Sequence, residues 1–301
     1  MEVQYPLVIF TLLTCLSVGA TCIAIVAELV GITHKDTIFE RIARWGSYLA
    51  APAILIGLLA STLHLSKPLA FITGLSHVGP SWISNEGCAG LLFSMFIIVF
   101  AILHFFSNQK GTAWKSSRAL VGLLAALSGL SLLYSQGMAY ATVRPIPAWN
   151  TPLTLGFFVA SSFALGVLAL ATVLAIGHKV TRDEGRKISF ISALKVFIVL
   201  GTIAVVLQAA VAGMWLIHLK TGLVIQAAIE SFNLLVGPLL VMTLLRGIIG
   251  TVLPLVLLGY GWMKVGIQPQ SVIMLVIVSS VCVLIGEIIA RQLFFMVVIH
   301  I

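Results

Sequence analysis

The chain has 301 residues, of which 60% are hydrophobic and only 9% are charged. A water-soluble domain carries about 25% charged residues, so this composition excludes a soluble enzyme and a disordered chain. The net charge of +8 comes from 17 Lys and Arg against 9 Asp and Glu. In so apolar a chain, basic loops that set membrane topology explain this excess better than binding to nucleic acid, and no nucleic-acid partner is expected.

Eight apolar runs are long enough to cross a membrane as helices, which takes about 20 residues each. Helices pair every backbone polar group within the segment, as lipid requires. We therefore predict an all-α, polytopic membrane protein with a single integral membrane domain over residues 1–301. The first residues carry no basic cluster, so the first run is expected to be a retained span and not a cleaved signal peptide. The predicted spans are 5–32, 46–65, 87–106, 119–141, 153–177, 193–217, 235–261 and 271–298.

The basic residues are concentrated in the loops that follow the odd-numbered spans. Eleven Lys and Arg residues lie there, against three in the opposite loops. Basic loops stay in the cytoplasm, so both termini are predicted on the outer, periplasmic side. The eleven are Lys35, Arg41, Arg44, Lys110, Lys115, Arg118, Lys179, Arg182, Arg186, Lys187 and Lys264, and the three are Lys67, Arg144 and Lys220.

Ionisable and amide side chains within the spans are the candidate functional residues, because each is costly in lipid without a partner or a role. Most of them lie towards the predicted outer side, which indicates one polar pocket near that face. They are His64 and Glu86 near span ends, Gln136, Gln208 and Arg246 within spans, and Glu287 and Arg291 in the eighth span.

Several of these residues also have a purely structural interpretation. Glu287 and Arg291 are four residues apart, the spacing of an ion pair on one helix face. Arg246 could hydrogen-bond backbone carbonyls, and Glu86 could simply suit the positive end of a helix dipole. The structural and functional interpretations of these residues remain open at the level of sequence.

His64 and Glu86 together could accept the protons released when a lipid-soluble quinol is oxidised. A histidine accepts protons near neutral pH, and a carboxylate at the membrane edge could pass them to water. Further candidates for binding quinol are Ser66, Lys67, Trp82 and Asn85 from the intervening segment, together with Arg246, Glu287 and Arg291 from the later spans. The four cysteines form no C-x-x-C pair, so no metal site is predicted, and no facing histidines indicate haem. The loops are too short for a redox domain, so electrons would need a partner subunit.

Three stretches of the chain resemble the dimethyl sulfoxide reductase membrane-anchor subunit family. The first is Leu-His-Leu-Ser-Lys-Pro at 63–68 with Ser-Asn-Glu at 84–86. The second is Pro-Ile-Pro-Ala-Trp-Asn-Thr-Pro at 145–152, which runs into Gly-Phe-Phe at 156–158. The third is Gly-Glu-Ile-Ile-Ala-Arg at 286–291. The eight-span layout with both ends outside is also similar.

The resemblance implies a haem-free anchor in the bacterial cytoplasmic (inner) membrane that oxidises menaquinol near the outer face. It further implies that electrons pass to a four-cluster iron–sulfur subunit on the outer loops 67–85, 142–151 and 218–234. That subunit would feed a molybdopterin catalytic subunit. The family's quinol-linked histidine matches His64 and its acidic residue matches Glu86, whereas Lys67 departs from some relatives.

Three other functions remain open. An anchor of the related polysulfide or nitrite reductase type could reduce quinone instead of oxidising quinol. A secondary transporter would use broken helices in two matching halves, for which Pro52, Pro238 and Pro254 give only a partial pattern. A purely structural anchor would leave the polar side chains unexplained. No internal repeat is evident, although eight spans would allow two halves of four helices.

Overall fold

The computed structural model describes residues 5–34, 37–63, 77–106, 111–181, 187–222 and 226–299. Within these ranges the regular secondary structure is entirely helical, and eight helical segments are long and apolar enough to span a membrane. The helices are α1 Tyr5–His34, α2 Thr37–Leu63, α3 Trp82–Phe105, α4 Thr112–Ala141, α5 Pro152–Thr181, α6 Lys187–Ile217, α7 Gln226–Val236, α8 Leu240–Gly247, α9 Leu253–Lys264 and α10 Pro269–Met296.

Several helices begin before the apolar runs that predict them. α2 begins at Thr37 and α4 at Thr112, whereas the predicted spans begin at 46 and 119. The added turns contain charged residues such as Arg44 and Arg118, which are good helix formers. Apolar composition therefore marks the part of a helix that lies in lipid, and the helix itself continues beyond it.

The seventh span is interrupted where a continuous helix over 235–261 was predicted. A turn at Gly237–Leu239 separates α7 from α8, because Pro238 has no amide hydrogen to continue the helix. A π-helical segment, Ile248–Val252, then joins α8 to α9 just before Pro254. Much of the segment 218–234, predicted as a loop, is also helical, since it includes a π-turn at His218–Gly222 and most of α7.

The helices form two groups of four spans. In the first group α1 packs against α2 and α4, and α3 packs between α2 and α4. In the second group α5 packs against α6 and α10, and α9 packs against the same two helices, α6 and α10. The groups meet mainly where α1 crosses α5, so the eight spans do form two four-helix halves.

The helix bundle has two ends, the Trp149 end and the Arg118 end. The loop 142–151 lies at the Trp149 end, and the start of α4 lies at the Arg118 end. α1, α3 and α5 run from the Trp149 end to the Arg118 end, and α2, α4, α6 and α10 run in the opposite direction.

The contact between α1 and α5 depends on two glycines. A Cβ at Gly166 would lie 2.3 Å from the carbonyl carbon of Gly19, and a Cβ at Gly19 would lie 1.9 Å from the carbonyl oxygen of Ser162. Helices in lipid gain most of their association from such close packing of small residues. A similar approach joins Gly250 to Gly286, where a Cβ at Gly286 would lie 2.3 Å from the Cα of Gly250.

We predict that Gly166→Ala destabilises the protein by about 1–3 kcal/mol, because the added methyl group meets only rigid backbone atoms. The thermal unfolding midpoint in one detergent measures the effect. Gly259→Ala is the matched control, since nothing lies within 4 Å of its Cβ position and alanine favours the helix by about 1 kcal/mol. Equal midpoints for the two variants would contradict the close crossing.

Candidate functional site

Glu86 lies in the second turn of α3 at the Trp149 end and faces Gln136 of α4. The Gln136 amide donates to Oε1 of Glu86 at 2.9 Å. Gln136 is fully buried, whereas Glu86 is partly exposed. Among the described residues, Oε2 of Glu86 accepts no hydrogen bond, and the buried Oε1 of Gln136 has no partner. Two acceptor oxygens are thus available to a ligand that donates hydrogen bonds.

The residues before Glu86 shape the start of α3. Ser81 caps the helix by accepting from the amide of Ser84 at 3.4 Å. Asn85 accepts from the amide of Gly79 at 2.6 Å and donates to its carbonyl at 3.2 Å. Gly79 has φ of +104°, a conformation that favours glycine. Asn85 therefore holds the turn that leads into the helix.

Trp82 lies one turn before Glu86 on α3. Its ring packs edge-on against Tyr134 of α4 at 5.6 Å between centroids. His64, Ser66 and Lys67 lie outside the described residues, directly after α2 ends at Leu63. Glu40, in the first turn of α2, contacts Arg118, so α2 runs away from the Arg118 end and finishes at the same end of the bundle as Glu86.

A second buried polar cluster surrounds Glu287 and Arg291 of α10. Both side chains are buried, at 1% and 0% exposure. Ser161 of α5 and Gln208 of α6 donate hydrogen bonds to the Glu287 carboxylate. Arg291 Nη2 lies 3.8 Å from that carboxylate and donates to the Ser161 hydroxyl at 3.0 Å.

Arg291 also extends this cluster to the first half of the protein. Its Nη2 lies 3.1 Å from the sulfur of Cys15 on α1, and its guanidinium lies 4.3 Å from the ring centre of Phe158. Helices α1, α5, α6 and α10 thus meet at this cluster. The two charges find their partners within the protein, which favours the structural interpretation of the Glu287–Arg291 pair.

Among the described residues, Arg246 of α8 makes no hydrogen bond to either cluster. Its guanidinium lies 5.7 Å from the ring centre of Phe157, and Arg291 lies 5.2 Å from the same ring. Arg246 instead lines a cleft of about 490 Å³, including its open mouth, between α5, α6, α8 and α10. The cleft wall is otherwise mostly apolar.

An aromatic cluster packs between these regions. Tyr140, one turn beyond Gln136 on α4, stacks on Phe158 at 5.8 Å and packs edge-on against Phe294 at 5.4 Å. Phe294 also lines the cleft with Arg246. Among the described residues, no direct hydrogen bond joins Glu86, the Glu287–Arg291 pair and Arg246, although the Phe157 ring contacts both arginines. One shared outer polar pocket stays a prediction.

The Arg118 end holds a further charged cluster that sequence reasoning missed. Arg118 of α4 contacts Glu28 of α1 at 2.9 Å and Glu40 of α2 at 3.0 Å. His104 of α3 lies 3.4 Å from Glu28, and both side chains are buried. The depth of Glu28 within the first apolar run was the available signal, since a charge there needs a partner.

The residues that the structure describes contain no group of three His, Cys, Asp or Glu side chains able to hold a metal ion. The polar centres at both ends are built from carboxylates, amides, guanidinium groups and one histidine. Side chains of these kinds can donate and accept hydrogen bonds and protons.

Spanning helices with paired buried charges define a multi-pass helical membrane protein. The family model described as DMSO reductase anchor subunit (DmsC) matches residues 1–297. The chain belongs to this family.

Curated relatives agree with the family. The chain is 31% identical to one chain of the anaerobic dimethyl sulfoxide reductase of Haemophilus influenzae over 58% of this chain and 60% of that protein. It is 29% identical to the YnfH chain of an anaerobic dimethyl sulfoxide reductase of Escherichia coli over 57% and 58% of the two proteins. It is 29% identical to one subunit of the sulfite dehydrogenase of Allochromatium vinosum over 46% and 45%. The matches thus span about 60% or less of these relatives.

One solved structure shares the fold. The structure of bd oxidase from Geobacillus thermodenitrificans aligns with a TM-score of 0.67, covering 98% of this chain and 88% of that chain. At 14% sequence identity this similarity shows a common helical arrangement and carries no function.

We predict that Glu287→Leu and Arg291→Leu each destabilise the protein by about 3–5 kcal/mol, because each leaves one buried charge unpaired. The double variant is expected to fold better than either single variant. Yield of folded protein and unfolding midpoint measure this double-mutant cycle. A double variant less stable than both single variants would show that the two charges do not stabilise each other.

Proposed function

We propose that this chain is the quinol-oxidising membrane anchor of a respiratory reductase complex, with menaquinol as its substrate. The observation that carries the proposal is the partly exposed Glu86 carboxylate at the Trp149 end. One of its oxygens is oriented by Gln136, and the other accepts no hydrogen bond within the described part of the chain. Family membership supports the same function.

The proposed reaction removes two electrons and two protons from the quinol and leaves a quinone. A quinol hydroxyl donates a hydrogen bond to His64 or Glu86, which accepts its proton. The protons pass to water at the Trp149 end, and the electrons pass to an iron–sulfur cluster of a partner subunit. Trp82 lies one turn before Glu86 on α3 and packs against Tyr134, and its ring offers an aromatic surface for the head group.

We further propose that a four-cluster iron–sulfur subunit docks on the Trp149 end and feeds a molybdopterin catalytic subunit. The loop 142–151 gives this end a defined shape. Trp149 donates from its indole to the carbonyl of Phe294 at 2.8 Å, and Trp215 donates to the carbonyl of Ala148 at 2.9 Å. A rigid loop beside the proposed quinol site suits a permanent partner, and an electron acceptor must lie close to the donor.

Electron flow in the opposite direction is the second candidate. One relative is named as a subunit of sulfite dehydrogenase, and a dehydrogenase removes electrons from its substrate. The same site would then bind a quinone and deliver protons to it. The DMSO reductase proteins among the relatives favour quinol oxidation, and family membership disfavours a transporter.

We predict that the Trp149 end faces the periplasm in the bacterial inner membrane, because eleven of the fourteen Lys and Arg residues outside the predicted spans fall towards the opposite end. A reporter fused after Ile301 is expected to show periplasmic activity, and one fused at Gly111 cytoplasmic activity. The reverse pattern would place the proposed proton release and docking surface on the wrong side.

We predict that His64→Ala lowers quinol-driven reduction by the assembled complex by about 10²–10⁴-fold, the usual contribution of a general base. Reduction driven by an artificial dye that bypasses the anchor should stay unchanged. Glu86→Gln should lose less, because water at the membrane edge can take over a relay role. Steady-state rates with a soluble quinol analogue measure both variants.

Asp183→Asn is the matched control, since Asp183 follows α5, which ends at the Arg118 end, away from the proposed quinol site and docking surface. Its quinol-driven rate should equal that of the wild type. A near-normal quinol rate in fully assembled His64→Ala complex would exclude His64 as the base. Loss of the dye-driven rate as well would indicate damaged assembly.

A further inference from the structure

Among the described residues, Arg246 lacks the ion-pair partners that Glu28, Glu287 and Arg291 have within the protein. Within the described ranges its guanidinium makes no hydrogen bond and no ion pair, and its contact is with the ring of Phe157. A guanidinium carries five donors and stays charged in proteins. Because an unpaired charge in lipid is costly, a partner from outside the chain is needed.

We propose that the cleft lined by Arg246 is a binding site for an anionic phospholipid, whose phosphate pairs with the guanidinium. This inference goes beyond the proposed quinol oxidation and assigns Arg246 a different ligand from the quinol of Glu86 and His64. The head group would lie in the cleft, and the acyl chains would continue along the apolar wall. That wall is formed by side chains such as Leu153, Ala212 and Leu216.

The local charges favour an anion over a neutral head group. Glu287 already accepts from Ser161 and Gln208 and lies 3.8 Å from Arg291. With that pair balanced, Arg246 contributes one uncompensated positive charge beside the cleft. A phosphate neutralises this charge and matches the planar donors of arginine, whereas a quinone carbonyl would leave the charge in place.

The remaining polar groups of the cleft are already used within the protein. The Thr154 hydroxyl donates to the carbonyl of Trp149 at 2.7 Å, and the Thr243 hydroxyl donates to the carbonyl of Leu235 at 3.0 Å. The Trp215 indole donates to the carbonyl of Ala148. Among the described lining residues Arg246 is thus the free donor, which suits a ligand recognised by its charge.

The depth of Arg246 corresponds to the head-group boundary. α5 has 30 residues, about 45 Å at 1.5 Å per residue, whereas the hydrocarbon core is about 30 Å thick. If the excess is shared between both ends, each end extends about 7.5 Å beyond the hydrocarbon. Phe157 lies five residues after Pro152, about 7.5 Å along the helix, so the guanidinium beside it lies at the edge of the hydrocarbon, next to the lipid head groups.

The test uses the full chain in nanodiscs of phosphatidylcholine or of an equal mixture of phosphatidylcholine and phosphatidylglycerol. Native mass spectrometry measures phosphatidylglycerol retained after delipidation, and the unfolding midpoint measures stabilisation. Arg246→Gln should weaken retention about 10- to 100-fold, as expected for loss of hydrogen bonds to a charged group. It should also lose the stabilisation that phosphatidylglycerol gives the wild type.

Two further variants keep the test decisive if Arg246→Gln folds poorly. Arg144→Gln removes an exposed arginine at the same end and should retain phosphatidylglycerol like the wild type. Ala212→Leu narrows the cleft without changing its charge and should lose retention. Because none of these measurements involves turnover, they hold whether or not His64 and Glu86 oxidise quinol.

Equal retention by the wild type and both cleft variants would overturn the proposal. So would an equal loss in Arg144→Gln, which would indicate attraction to the surface charge of this end. Added menaquinone could also displace phosphatidylglycerol from the wild type. If it did so at concentrations that leave the protein folded, the cleft would be assigned to quinone instead.

Discussion

The buried contact of Glu287 with Arg291, Ser161 and Gln208 joins α10 to α5 and α6, and Arg291 reaches α1 through Cys15. In lipid no hydrophobic force selects one helix arrangement over another, since the solvent is as apolar as the side chains. Polar groups that must find each other therefore restrict how the helices rotate. Because this cluster includes α1, it sets the position of one half of the protein against the other.

Small residues make that arrangement possible. The glycine contact of α1 with α5 brings Ser162 close enough to donate to the carbonyl of Cys15 at 2.9 Å. The contact of Gly250 with Gly286 occurs in the π-helical segment before Pro254. Interruption of the seventh span also places Arg246 on a short helix beside the cleft. The departures from ideal helix geometry thus lie where helices approach closely or where a charge meets the cleft.

The polar centres differ in how completely the protein satisfies them. Both oxygens of the Glu287 carboxylate accept hydrogen bonds, and Glu28 is paired with Arg118. Glu86 and Arg246 keep unused hydrogen-bonding capacity among the described residues. Arg291 and Glu28 also keep unpartnered buried atoms, but both are ion-paired within the protein. Glu86 and Arg246 have no charged partner among the described residues and lie beside a membrane-accessible surface, as a ligand site requires. This contrast favours a role in assembly for the two pairs and a role in binding for the two single residues.

The sequence by itself determined the class of protein, the number of spans and the family. An apolar run long enough to cross the hydrocarbon core marks a span, and its length can be counted along the chain. The sequence also identified Glu86, Glu287 and Arg291 as candidate functional residues, because charged side chains are costly in apolar spans. Only the tertiary structure decided which polar residues meet, because contacts such as Ser161 with Glu287 depend on helix rotation and packing over 126 positions of sequence. For the same reason the sequence did not reveal the Glu28–Arg118 pair.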